Sequence, residues 1–169
     1  MFEVMTSDQL ADRTSRARAA AVEAGRELGL DVGAATMLHD LFSVVVHLAP
    51  SPVVVRVPTV VAPGAGPDAQ AVRQRTELDV VSWLAGQGVP VIPPSPLVPR
   101  EPVLRGGFSM TFWEFVEQSD AEPDYVGNCG LTADLHAALR DYPGELPFLS
   151  AAEPAMVTEA LGALGGGRS

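Results

Sequence analysis

Apolar residues recur along this chain in two rhythms. Near the start, Leu10, Ala17, Ala21, Val22 and Leu28 follow one another at roughly helical spacing. They are preceded by the capping side chains of Thr6, Ser7, Asp8 and Gln9 and followed by Gly29, a residue suited to stopping a helix. The pattern predicts a helix within residues 1–30, with Arg13, Arg16 and Arg18 largely on its wet side. From 34 to 58 the texture changes to β-branched apolar runs. These are split at Asp40-Leu41-Phe42-Ser43 and again at Ala49-Pro50-Ser51-Pro52, which predicts three short antiparallel strands.

Residues 60–67 are rich in Pro, Gly and Ala and read as a loop. Asp68 can cap a second helix, for which Val72, Leu78, Val81, Trp83 and Leu84 supply an apolar side and Gly86-Gln87-Gly88 an end. Prolines at 90, 93, 94, 96, 99 and 102 then keep the chain extended. Two further strands, 103–105 and 110–116, are expected to join across Gly106-Gly107. An acidic connector over 117–124 leads to a helical stripe of Leu131, Leu135, Ala138 and Leu139. A weak last helix is expected over 151–164, before the frayed end Gly165-Gly166-Gly167-Arg168-Ser169. The expected fold is α+β, a five-stranded antiparallel sheet with a long helix laid across it, flanked by an N-terminal helix and by C-terminal helices. Three parts follow: the N-terminal helix at 1–30, a lobe at 31–118, and connector and helices at 119–169.

At 169 residues and 47% hydrophobic, the chain can bury a core of one domain or one lobe. Its net charge of -10, with the basic residues scattered, argues against nucleic acid and anionic membranes. The basic residues are all arginine, in a chain rich in Ala, Val, Gly and Pro, so an Arg in place of Lys carries less weight. Cys129 is the single cysteine, and no zinc-type spacing links it with His39, His47 or His136. The N-terminus lacks the basic start and apolar core of a signal peptide, and the most apolar stretch, 41–61, is broken by His47, Pro50, Pro52, Arg56 and Pro58. A soluble cytoplasmic protein is the expectation.

Within this pattern Arg56 is a lone cation in the run Val53-Val54-Val55-Arg56-Val57, with Glu77 on the helix that follows. A buried guanidinium strongly wants an anionic partner. The pattern fits equally a sheet-edge Arg56 facing water, with Glu77 a solvated helix residue.

From about 34 to 139 the sequence resembles the amino-terminal lobe of the aminoglycoside phosphotransferase and choline kinase-like family. The matching stretches are 53–58 as the third strand, Arg75-Thr76-Glu77 and Trp83-Leu84-Ala85 as the helix, and Val89-Pro90-Val91-Ile92-Pro93 after it. They continue with 110–117 as the hinge strand and Ala133-Asp134-Leu135-His136 on the first helix beyond it. The resemblance implies a kinase-like lobe that binds ATP, with Arg56 gripping phosphates and Glu77 holding Arg56. It places adenine between Val54 and the hinge, bonded to backbone groups of Trp113 and Phe115, with Phe112 at the back of the pocket. Ordinary core packing is the alternative for these three aromatics. The loop over the phosphates would be 38–43, which has no glycine; Ser43 would donate to phosphate, whereas Asp40 there would repel it.

The family's His-Gly-Asp catalytic loop does not occur anywhere in the sequence. The resemblance therefore implies no catalytic residue in this chain, magnesium only with the missing lobe, and inactivity alone. A second chain supplying that lobe, or self-association through an apolar face, would be the partner. Other readings stay open: a non-catalytic interaction module or truncated remnant that binds no nucleotide, and an unrelated acidic α+β binding domain.

Overall fold

The computed structural model describes residues 6–61, 66–117, 119, 121, 122 and 124–146. Helix α1 spans Ser7–Glu27 and opens with a reciprocal capping box. The Thr6 hydroxyl accepts from the Gln9 amide at 3.3 Å, and the Gln9 side chain accepts from the Thr6 amide at 2.7 Å. Two of the orphan amides of the first turn are thereby satisfied. The helix ends where Gly29 turns left-handed, at φ +85. Its amide bonds Arg26 O while that of Leu30 bonds Gly25 O, a closure that favours glycine at the turn.

The strands β1 (Val32–Asp40), β2 (Ser43–Pro50), β3 (Val53–Pro58), β4 (Val103–Arg105) and β5 (Phe108–Glu114) form one antiparallel sheet in the order β1-β2-β3-β5-β4. The first strand is longer than expected because its polar end, His39-Asp40, pairs with Val45-Val44, leaving only Leu41 and Phe42 as the turn. The last hairpin turns at Gly106 and Gly107, both at positive φ, as a two-residue turn matched to strand twist requires. So tight a turn pairs Phe108 with Arg105, and β5 starts two residues earlier than the apolar pattern implied.

Period-two alternation divides the sheet into two faces. Val44, Val46 and Leu48 of β2, Val53, Val55 and Val57 of β3, and Met110 and Phe112 of β5 form the main core with Ala17, Ala20, Ala21 and Ala24 of α1. The helix that spans this core is thus α1, which the sequence reading placed at the flank. Its small buried face lets the backbone settle close to the strands, so a Cβ added at Gly25 would lie 2.5 Å from Leu48 Cδ1. Leu10, expected in this stripe, is 40% exposed. Nor is Arg13 on the wet side: its side chain is 13% exposed and paired with Asp40.

Helix α2 (Pro67–Gly86) lies on the opposite face, against β5 and β4. Gly66 takes the N-cap position expected of Asp68, which falls in the first turn because Pro67 begins the helix. The buried side consists of Ala71, Gln74, Leu78 and Leu84, whereas Val72 is exposed. Gln74 and Ser109 bond reciprocally across this interface, so a polar pair sits where the apolar reading expected aliphatic contact. Helix α3 (Tyr125–Leu139) is capped by Asp124, whose carboxylate accepts from the Gly127 amide at 2.9 Å. It has no buried residue. Trp83 of α2 meets Tyr142 edge to face just beyond it.

Outside the described residues lie 1–5 of the 1–30 part, 62–65 of the 60–67 loop, 118, 120 and 123 of the connector, the 151–164 helix and the 165–169 end. Among the described residues no helix is long and apolar enough to cross a membrane.

Candidate functional site

Because α1 covers one face and α2 reaches only the β5–β4 side of the other, β2 and β3 keep an uncovered surface beside α2. A cleft of about 680 Å³ occupies it, with Val45, Val54, Arg56, Glu77, Val81 and Trp113 among its walls. Such a volume falls within the roughly 300–1,000 Å³ usual for small-molecule sites.

Arg56 reaches this cleft by register. Its neighbours Val55 and Val57 are fully buried under α1, so alternation sends Val54 and Arg56 to the other face. There Arg56 Nη2 donates to Glu77 Oε2 of α2. The guanidinium carbon also stands 5.9 Å from the centre of the Trp113 ring, within cation–π range. Trp113 is itself fixed, its Nε1 donating to Thr111 Oγ1 at 2.9 Å. The cation is therefore held from α2 and from β5. Arg56 and Glu77 side chains are 33% and 36% exposed, so water screens the pair and its contribution to stability is at most about 1 kcal/mol. Its consequence is positional: one fork of donors fixed at the cleft wall, with Glu77 occupying only part of it.

The remaining expected site residues divide. Val54 and Trp113 line the cleft directly opposite each other across β3 and β5. Phe112 is 3% exposed within the α1 core, on the other side of the sheet, because it neighbours Trp113 in a strand of period two. Phe115 stacks on His47 at 3.8 Å with rings 3° apart, and its amide donates to Pro52 O. Ser43 begins β2 opposite Pro58 and is not among the cleft walls.

The backbone groups expected to meet adenine are also differently placed. Glu114 N–H donates to Pro93 O and Phe112 O accepts from Ser95 N, so these groups point towards the 93–95 segment. In an antiparallel strand adjacent residues point opposite ways, which turns the Trp113 amide and carbonyl towards Val54. Farther along, Glu114 and Val116 both line the cleft.

Val91, Ile92, Glu114 and Val116 went unread as walls, whereas Leu38 and His39 belong to the 38–43 segment expected over the phosphates. The signal that would place Val45 and Val81 was available, since both follow from strand and helix periodicity. That for His39 was not, because the register shifts between Met37 and His39. Asp40, the acid expected to oppose phosphate, faces away. Arg13 Nη2 and Thr14 Oγ1 of α1 donate to its two carboxylate oxygens at 2.8 and 2.6 Å. His47 has its own partners, Phe115 and, at 3.2 Å, Ser51 O, whereas His136 is exposed in the last turn of α3.

Compared with known proteins, the chain matches no family model, no curated protein and no solved structure.

Proposed function

We propose that this cleft binds a nucleotide such as ATP and that the described fold is a kinase-like nucleotide-binding lobe of the aminoglycoside phosphotransferase type. The observation that carries the reading is the Arg56–Glu77 pair on the open sheet face, beside the apolar surface of Val54 and Trp113. A cation fixed by a helix carboxylate is what polyphosphate binding asks of a scaffold, since a wandering cation spends conformational entropy on each binding event. The position of α2, inserted between the third and fourth strands and carrying Glu77, supports it. Val54 offers the apolar surface for a base, in a cleft that Glu114 and Val116 also line.

Binding, not turnover, is the activity proposed for this chain, because the sequence contains no His-Gly-Asp loop. Magnesium would enter with the nucleotide and with residues supplied by a further lobe. Such a lobe, from a second chain, would have the bare sides of α3 to meet.

Calorimetric titration with ATP and magnesium tests the reading. A charge-assisted hydrogen bond is worth about 1.5–3 kcal/mol, so Arg56→Ala should weaken binding by roughly ten- to a hundredfold. Arg73→Ala, an exposed α2 position outside the cleft, should leave it unchanged. Equal affinities for the two variants would reject the role of Arg56.

A second reading, an interaction module that binds no nucleotide, draws on Ser43 lying outside the cleft and on a turn, Leu41-Phe42, without glycine. Both side chains of that turn are exposed, at 58% and 68%. An unmoved melting temperature with ATP and magnesium would favour this reading.

A further inference from the structure

The end of β1 is built so that Asp40 cannot face the cleft. Strict alternation from Met37, which packs on the α1 side, would send Leu38 to the cleft, His39 back to α1 and Asp40 to the cleft. The register shift between Met37 and His39 changes this. Met37 pairs with Val46 and His39 with Val45, so Leu38 is the extra residue of a bulge. Leu38 and His39 both line the cleft, and Asp40, opposite Val44, is returned to the α1 face. There Arg13 and Thr14 take one carboxylate oxygen each.

We infer that Arg13 and Thr14 are positioning residues of the nucleotide site: with the bulge at Leu38, they draw the Asp40 carboxylate to the α1 side, removing a negative charge from the place where polyphosphate binds. This rests on the nucleotide reading above. The arrangement explains how an acid is tolerated next to two cleft residues in a turn with no glycine. It also gives α1 a part in the site beyond covering the core. Arg13 is the more deeply placed partner, 13% exposed against 31% for Asp40, so the carboxylate is drawn towards a fixed cation.

The test measures ATP with magnesium, and adenosine, on the full chain. Replacing both partners, Arg13→Ala with Thr14→Ala, frees Asp40 and should weaken ATP about fivefold, as one added like charge at partly screened range does. Adenosine affinity should not change. Adding Asp40→Asn to that variant should return ATP affinity to within about twofold of wild type, although the clamp is still absent. A merely structural clamp gives the opposite result: adenosine and ATP weaken together and Asp40→Asn rescues neither. Asp40→Asn alone keeps an acceptor for α1, stays close to the native fold, and should bind ATP at least as tightly as wild type. A loss there overturns the inference even where the double variant fails to fold. Binding of ATP by wild type with no change in a folded double variant overturns the inference alone. Absence of binding by wild type overturns the nucleotide reading, and the inference falls with it.

Discussion

On one side of the sheet, Val44, Val46, Val53, Val55 and Val57 lie at 0% exposure against the alanines of α1; on the other, Val45, His47, Val54 and Arg56 of the same two strands stay half-exposed. The strands contribute valine to both sides, so residue type did not decide which side closed. Helix placement did. A run of buried alanines in α1 lets a whole helix lie across the sheet, whereas α2 reaches β5 and β4 and leaves β2 and β3 bare. The difference teaches where to look for function: on the α1 side Arg13 and Arg105 are taken up by Asp40 and Glu27 beside an apolar core, whereas on the uncovered side Arg56 stands at a cleft, anchored by Glu77 of α2.

The sharpest way to test this division is the adjacent pair Phe112 and Trp113, which one residue of register sends to opposite sides. Phe112→Ala should remove about 3–5 kcal/mol of stability by opening a cavity under α1, read from denaturant unfolding. Under conditions where the variant is folded, its ATP affinity should match wild type. A specific loss of binding would show that Phe112 reaches the cleft after all.

A smaller effect is expected between α2 and β5. Gln74 and Thr111 are both at 0% exposure, and Gln74 exchanges hydrogen bonds with the hydroxyl and carbonyl of Ser109. Gln74→Ala leaves both Ser109 groups without their partner in a dry interface, a cost of about 1–3 kcal/mol. Thermal unfolding of Gln74→Ala beside the exposed control Arg73→Ala measures it. A difference below about 0.5 kcal/mol would mean that water reaches Ser109.

Much of this arrangement is legible in the sequence itself. Thr6 and Gln9 announce the cap of α1, Gly29 its end, and Gly106-Gly107 the last hairpin, because caps and tight turns are local chemistry. The spacing of Val53, Val55 and Val57 already implied that Arg56 points away from them, although not that Glu77 would meet it. Long-range facts were not readable in that way. Leu38 carries no mark of a bulge, so the sequence did not show that Asp40, expected at the phosphates, turns instead to α1. Trp113 and Phe115 read as hinge residues, yet which backbone groups stay outward depends on the 93–95 segment pairing with β5. The helix inserted after the third strand was taken as the one across the sheet, whereas the small residues Ala17, Ala20, Ala21 and Ala24 let α1 lie over the main core.

The smallest expected effect is at Val72, which the apolar spacing assigned to the buried side of α2. It is 61% exposed, while Leu78, assigned to the same side, is 2% exposed. The two differ because the helix presents Ala71, Gln74 and Leu78 to β5, and a position one residue after Ala71 is turned about 100° away, as 3.6 residues per turn dictates. Val72→Ser should therefore change stability by no more than about 0.5 kcal/mol, as surface substitutions do, and leave ATP binding unaltered. Leu78→Ser, which buries a hydroxyl in place of a packed side chain, should cost several times as much. If Val72→Ser proved the more damaging of the two, α2 would have to be rotated on the sheet, which would carry Glu77 away from Arg56 and dismantle the site itself.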